Sequence, residues 1–386
     1  MPVLLATLVA AASDPPVVPP ICSNHSDLST YPTPDGKCTS TIATVAEWER
    51  RRDDILVGVQ AMMGSLPPQH AYPPLDLRIE STRTTSLYAR HEISYVAERD
   101  DQLRATGLLF VPTAAPGGGR KFPTALALHP TSPDGARWSE TRHPPLDYAV
   151  ELASRGYVVI APDYPEMGRQ AAFNCTKLEV AGGHPSCSIK GVIIHARAID
   201  VLEGLPYADT SKLVAIGHSL GGHNAIFIGL FDERVKVIVS SCGWTPWSYY
   251  TSHMPLNASW AQPKYMPRIA SIYGGDPKRI PTDFYEMVAA LAPRPFFSNS
   301  PYTDFNFNVS GVWTALPQLH PVWARYAAAA NESAGDESRG RLHVTFPAGG
   351  CAIHTFASSS GSAECGHDFP DGTRLAAYEF IERQLK

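Results

Sequence analysis

Two hydrophobic periods alternate along the chain. Residues 44–63, TVAEWERRRDDILVGVQAMM, bring Trp48, Ile55, Val59 and Met62 near one helical face. A proline-rich link follows at 67–74. From residue 90 short apolar runs and helical segments take turns. ARHEISYVA and RATGLLFVP read as an antiparallel pair. PTALALH (123–129), YVVIAPD (157–163), KLVAIGHS (212–219), VKVIVSSC (235–242), PFFSNS (295–300) and LHVTFP (342–347) read as further strands. Residues 146–155, 191–205, 224–231, 282–292 and 322–330 read as helices, and a last one at 373–385 carries Leu375, Ala376, Tyr378, Ile381 and Leu385.

Such alternation predicts an α/β fold with a mostly parallel, doubly wound sheet of about eight strands and helices on both faces. The expected organisation is an extended Pro/Ser/Thr-rich arm at 13–44 and a single α/β domain at 45–386. Within that domain the stretch 243–281 breaks the alternation. It carries Trp244, Trp247, Tyr249, Tyr250, Trp260 and Tyr265, which suits a cap or pocket wall. No internal repeat or low-complexity block interrupts the chain.

Composition narrows the function classes. With 386 residues, 44% hydrophobic and 18% charged, the chain can bury a large core, which excludes global disorder. Net charge is −5 and the only basic run is Arg50-Arg51-Arg52, so nucleic-acid binding has no electrostatic footprint. No apolar run reaches the roughly 20 residues of a membrane helix.

Three features point to the secretory pathway. Residues 1–12, MPVLLATLVAAA, form an apolar run ending in small residues, the pattern of a signal peptide. Five of the eight asparagines stand in Asn-x-Ser/Thr: Asn24, Asn174, Asn257, Asn308 and Asn331. Chance would give roughly one, so these are candidate glycosylation sites. Six of the seven cysteines fall into local pairs, Cys22/Cys38, Cys175/Cys187 and Cys351/Cys365, each a candidate disulfide of an oxidising compartment. Cys242 is left over in an apolar strand, as a buried free thiol would be.

The sharpest motif is Gly217-His218-Ser219-Leu220-Gly221, followed by Gly222. An apolar strand runs into it and an apolar helix leaves it, the strand–turn–helix context of a nucleophile elbow. Glycines at 217 and 221 let strand and helix close around a strained serine. The N–H of Leu220 then faces the position of a developing oxyanion. A serine hydroxyl needs a histidine base oriented by a carboxylate, in the chain order Ser, acid, His. His367, in CGHDFP just before the last helix, fits that place; His354, in a Ser/Gly-rich insert, competes. Asp304 follows PFFSNS as the acid should, whereas Asp276 and Asp283 come too early. The second oxyanion donor belongs to the loop His129-Pro130-Thr131-Ser132. Pro130 has no N–H, which leaves Thr131, then Ser132. His129 is either an orienting side chain of that loop or a plain strand end.

GHSLGG after an apolar strand, ALALHPTS, RGYVVIAPDYP, LAPRPFFSNSPYTDFNF and GHDFP before a terminal helix resemble the α/β-hydrolase superfamily, with most likeness to its dienelactone-hydrolase and acetyl-xylan-esterase-like branch. The resemblance spans roughly residues 45–386. It implies ester hydrolysis by a Ser219–Asp304–His367 triad, the 129–132 loop as oxyanion hole, and no metal or organic cofactor. Two features depart from the pattern. Dienelactone hydrolases use a cysteine where this chain has Ser219, and residues 348–366, with Cys351 and Cys365, form an inserted loop beside the base. The expected partner is a small-molecule or carbohydrate ester, the expected setting extracellular. Other readings are a zinc site at Cys351, His354, Cys365 and His367, a catalytically inactive binding module of the same fold, and a serine peptidase of that fold.

Overall fold

Helices on both faces leave the central strands no polar side. In the computed structural model their apolar residues alternate between two packed faces, with one irregularity in β9 between Val235 and Val237. The structure describes residues 22, 24–33, 37–68, 71–99, 104–114, 119–140, 146–177, 184–250, 255–331, 340–347 and 366–386. A short hairpin of β1 (Thr30–Pro32) and β2 (Cys38–Thr41) comes first. The main sheet contains β3 (Arg78–Thr84), β4 (Tyr88–Tyr95), β5 (Ala105–Pro112), β6 (Phe122–Leu128), β7 (Val158–Pro162), β8 (Ala208–His218), β9 (Val235–Ser241), β10 (Phe296–Asn299) and β11 (Leu342–Thr345). Their order is β11-β10-β9-β8-β6-β7-β5-β4-β3. Neighbours from β11 to β7 run parallel and those from β7 to β3 antiparallel.

Eight helices carry the connections among the described residues: α1 (Val45–Met63), α2 (Tyr148–Ser154), α3 (Cys187–Glu203), α4 (Leu220–Phe231), α5 (Arg268–Ser271), α6 (Phe284–Ala289), α7 (Val309–Ala329) and α8 (Asp371–Gln384). Leu213 and Ala215 of β8 pack with α3, α4 and α6, while Val214 and Ile216 pack with α2 and α8. Period-2 alternation between two covered faces therefore reads in the sequence as one continuous apolar run. The fold is the α/β-hydrolase type expected from the sequence, with nine strands in the sheet against about eight.

The differences have physical causes. Every residue of β3 is exposed, so no apolar alternation marks it; pairing with β4 alone makes it a strand. Helix α7 starts well before residue 322, although Pro317 and Pro321 lie inside it. Each proline removes a backbone donor, and burial of Val312, Ala315, Leu319, Val322 and Trp323 holds the helix regardless. Helix α1 matches its pattern: Trp48, Ile55, Val59 and Met62 are buried, and Thr44 and Glu47 form a reciprocal capping box.

The described part of the N-terminal arm is fastened to the domain. The Cys22–Cys38 disulfide closes its hairpin, and buried His25 bonds Glu286 of α6 at 2.8 Å, which also pairs with Arg51 of α1. The Cys175–Cys187 disulfide ties a loop to the start of α3. Cys242 is free and buried. Cys351, His354, Cys365 and residues 1–12 lie outside the described residues. Asn24, Asn174, Asn257 and Asn331 are exposed; Asn308 is half-buried and caps α7 by accepting from the Ser310 N–H at 2.9 Å. No helix among the described residues is long and apolar enough to cross a membrane.

Candidate active site

Strand β8 ends at His218 and α4 begins at Leu220, so Ser219 makes the whole turn. It stands at φ 56°, ψ −122°, a left-handed backbone that a side chain rarely adopts. Neighbouring backbone holds it there: the Ser219 N–H donates to the Ser241 carbonyl at the end of β9, at 2.8 Å. The glycines are required by contact. A Cβ on Gly221 would lie 1.9 Å from the Leu128 carbonyl oxygen, and one on Gly217 would lie 2.3 Å from the Gly221 carbonyl carbon. Strand β6, the elbow and α4 thus meet backbone to backbone, which sets the 129–132 loop beside the serine.

Asp304 and His367 come together from the loops after β10 and before α8. His367 Nδ1 donates to both carboxylate oxygens, at 3.1 and 3.2 Å. The carboxylate also accepts the N–H groups of Asn306 (2.9 Å) and Phe307 (3.1 Å), which fix its direction. The pair is shielded, with 1% of the Asp304 side chain and 9% of the His367 side chain exposed. Gly366 allows this approach: its φ is +99°, and a Cβ there would lie 2.2 Å from Thr303 Oγ1. The His367 ring lies 4.8 Å from that of His218, the residue before the serine, and stacks on Phe307 at 5.9 Å.

The loop after β6 is set from its buried side. His129 is fully buried and stacks on Tyr164 at 3.8 Å; burial pushes its imidazole down to about 4, so it is neutral. Its Nδ1 donates to the Pro130 carbonyl at 2.6 Å. That bond fixes the plane of the Pro130–Thr131 peptide and with it the direction of the Thr131 N–H. No described residue accepts that N–H. Leu220, at the first turn of α4, likewise has an N–H with no acceptor inside its helix. Ser132 is buried and its hydroxyl accepts from the Asp134 N–H at 3.1 Å. His129 is therefore an orienting residue of the loop.

The other carboxylates considered from sequence are engaged elsewhere. Asp283 caps α6 and accepts the Trp247 N–H at 2.9 Å, and burial lifts it to about 7. Asp276 closes a turn on the Lys278 N–H at 3.0 Å. The aromatic stretch forms a wall beside the site. Trp260 stacks on the buried, neutral His223 at 4.0 Å and touches Tyr265 at 5.0 Å and Phe307 at 5.9 Å.

Asn299 escaped the sequence reading. Its Nδ2 donates to the Ser241 hydroxyl and to the Asp368 carbonyl, both at 2.8 Å, joining the end of β9 to the His367 loop. The legible signal is a polar residue closing the apolar run of β10. Cys242 assists: its S–H donates to the same Asp368 carbonyl at 3.3 Å, and burial, then the Asp304 carboxylate, keeps the thiol protonated. His218, Cys242 and His367 bring three potential metal-ligand atoms within 4.8 Å of one another. Burial and the Asp304 carboxylate keep the Cys242 thiol protonated, whereas a metal ligand must be a thiolate. Of the four residues of the zinc reading, His367 alone is among the described residues.

Known proteins agree with this architecture. The curated 4-O-methyl-glucuronoyl methylesterase 1 of Wolfiporia cocos is 26% identical over 424 aligned positions, covering 99% of this chain and 89% of that protein. The solved glucuronoyl esterase from Solibacter usitatus superposes with a TM-score of 0.63 at 18% identity, covering 89% of this chain and 95% of its own. A CE15 glucuronoyl esterase from Teredinibacter turnerae gives 0.63 at 16% identity, covering 95% and 91%. The model of the alpha/beta hydrolase family matches residues 108–355, from β5 to beyond β11 and through the Ser219 elbow, and the chain belongs to that family.

Proposed function

We propose that this protein hydrolyses carboxylic esters with Ser219 as nucleophile, His367 as base and Asp304 as the orienting acid. The observation that carries the reading is the bond from His367 Nδ1 to Asp304, with the His367 ring 4.8 Å from that of His218, the residue before a serine held at φ 56° at the start of a helix. The Asp304 bond places the proton on Nδ1 and leaves Nε2 to take the serine proton. The Ser219 oxygen attacks the ester carbonyl, and the oxyanion is met by the N–H groups of Leu220 and Thr131. His367 then protonates the leaving alcohol, and water repeats the sequence to release the acid from the acyl-enzyme. Each group used belongs to the chain itself.

The substrate class follows from relatives named for glucuronoyl esters. An ester of a sugar acid would lie against Phe305, which is exposed and meets the His367 ring edge-on at 5.8 Å, leaving a ring face open to a pyranose. Secretion and glycosylation complete the proposal, supported by two disulfides and four exposed sequon asparagines. The test is hydrolysis of p-nitrophenyl acetate and of a methyl glucuronate by the wild type and by Ser219→Ala. Turnover of both with preference for the uronate ester, lost about 10³-fold or more in the variant, is expected. A folded wild type that cleaves neither would contradict the reading and favour a binding module.

A further inference from the structure

Thr131 is held from two sides. Beneath it, His129 fixes the Pro130–Thr131 peptide. Above it, the Thr131 hydroxyl shares a hydrogen bond of 3.0 Å with the Tyr265 hydroxyl, which comes from the aromatic stretch 134 residues away. Tyr265 is itself fixed. It is buried, its ring lies against Trp260, its N–H donates to the Gln262 carbonyl at 2.9 Å and its carbonyl accepts the Ser188 N–H of α3 at 3.2 Å. Its phenol is therefore a stationary point from which a half-buried loop residue hangs.

We infer that Tyr265 is a positioning residue for the oxyanion hole, acting through its hydroxyl bond to Thr131. The inference rests on the esterase reading. Without this bond the peptide carrying the Thr131 N–H is anchored on one side only, and a small misplacement of an oxyanion donor weakens the transition state more than the ground state. Packing needs only the ring of residue 265. The inferred role needs the hydroxyl, and this separates the two.

The experiment measures kcat and KM for p-nitrophenyl acetate in wild type, Ser219→Ala, Tyr265→Phe, Thr131→Val, Thr131→Ser and the Tyr265→Phe/Thr131→Val double variant. Tyr265→Phe and Thr131→Val should each lower kcat about 3- to 10-fold with KM within about twofold, the size expected for one neutral hydrogen bond. The pH at half-maximal rate should stay in place, because His367 and Asp304 are untouched. Thr131→Ser should restore most of the rate, and the double variant should be no slower than the slower single one, because both remove one bond. Wild-type kcat in Tyr265→Phe, losses that multiply in the double variant, or a change confined to KM would overturn the role of Tyr265. Wild-type turnover that survives in Ser219→Ala would instead overturn the esterase reading, and this inference with it.

Discussion

Ser219 is held in a backbone conformation that costs on the order of 1–3 kcal/mol, and the glycines around it are the means of holding it. Gly221→Ala should therefore affect both stability and activity: its Cβ would meet the Leu128 carbonyl at 1.9 Å, so β6 or α4 must move. A loss of about 1–3 kcal/mol in unfolding free energy with near-complete loss of ester turnover is expected, read by denaturant melts and initial rates. An active, equally stable Gly221→Ala would contradict the elbow geometry. The motif was legible because its chemistry is local: glycines, serine and helix start lie within six residues. The pairing of Asp304 with His367 was legible through chain order alone, and the structure brings the two together. Asn299 was not legible, because its partners, Ser241 and Asp368, lie 58 and 69 residues away.

The elements matter here through their carboxyl ends. Strands β6, β8, β9 and β10 each deliver one part of the site, and the described residues between 366 and α8, which carry His367, belong to no strand. Asn299 holds them, tying β10 and β9 to Asp368. Asn299→Ala should lower kcat by about tenfold with little change in KM, since it frees the segment that places His367, the proposed base. Steady-state kinetics decide this, and a change in KM alone would assign Asn299 to substrate contact. At α1, Thr44→Ala removes half of a capping box and should cost about 1 kcal/mol without affecting turnover; a change in kcat would show that the helix reaches the site. Element reading failed where tertiary contacts overrode local pattern. Exposed β3 is a strand only by pairing, and α7 passes through two prolines because its apolar face is buried.

For the molecule as a whole, the buried histidines govern acid stability. Burial pushes His129 to about 4, His195 and His223 to about 3, and His218 well below its ordinary value, with the nearby His367 adding to the last. In the unfolded chain each takes up a proton near 6.5. Below that pH the unfolded state binds more protons, so stability falls with pH, by about 1.4 kcal/mol per unit for each imidazole until its folded value is reached. Asp283, lifted by burial to about 7, works the other way and gains stability as pH falls towards its unfolded value of 3.8. His25, raised by Glu286 against the cost of burial, adds stability that is lost above its folded value. Below pH 6.5 these four imidazoles thus oppose Asp283. Calorimetric melting from pH 8 to 4.5 should show a plateau near neutrality and a steep drop in Tm below about 6.5. A Tm that holds or rises between pH 6.5 and 5 would contradict the burial of these rings. The sheet order and the docking of the arm through His25 could not be read from sequence, since both depend on pairings across long separations.

Ester hydrolysis as proposed requires Ser219 to be an activated nucleophile. Its most direct test is labelling of the folded wild type with a fluorophosphonate, with the modified residue located by peptide mass spectrometry. A single adduct on Ser219 is expected, absent in Ser219→Ala and formed far more slowly in His367→Ala. Labelling elsewhere, or none in a protein that melts cooperatively, would contradict it.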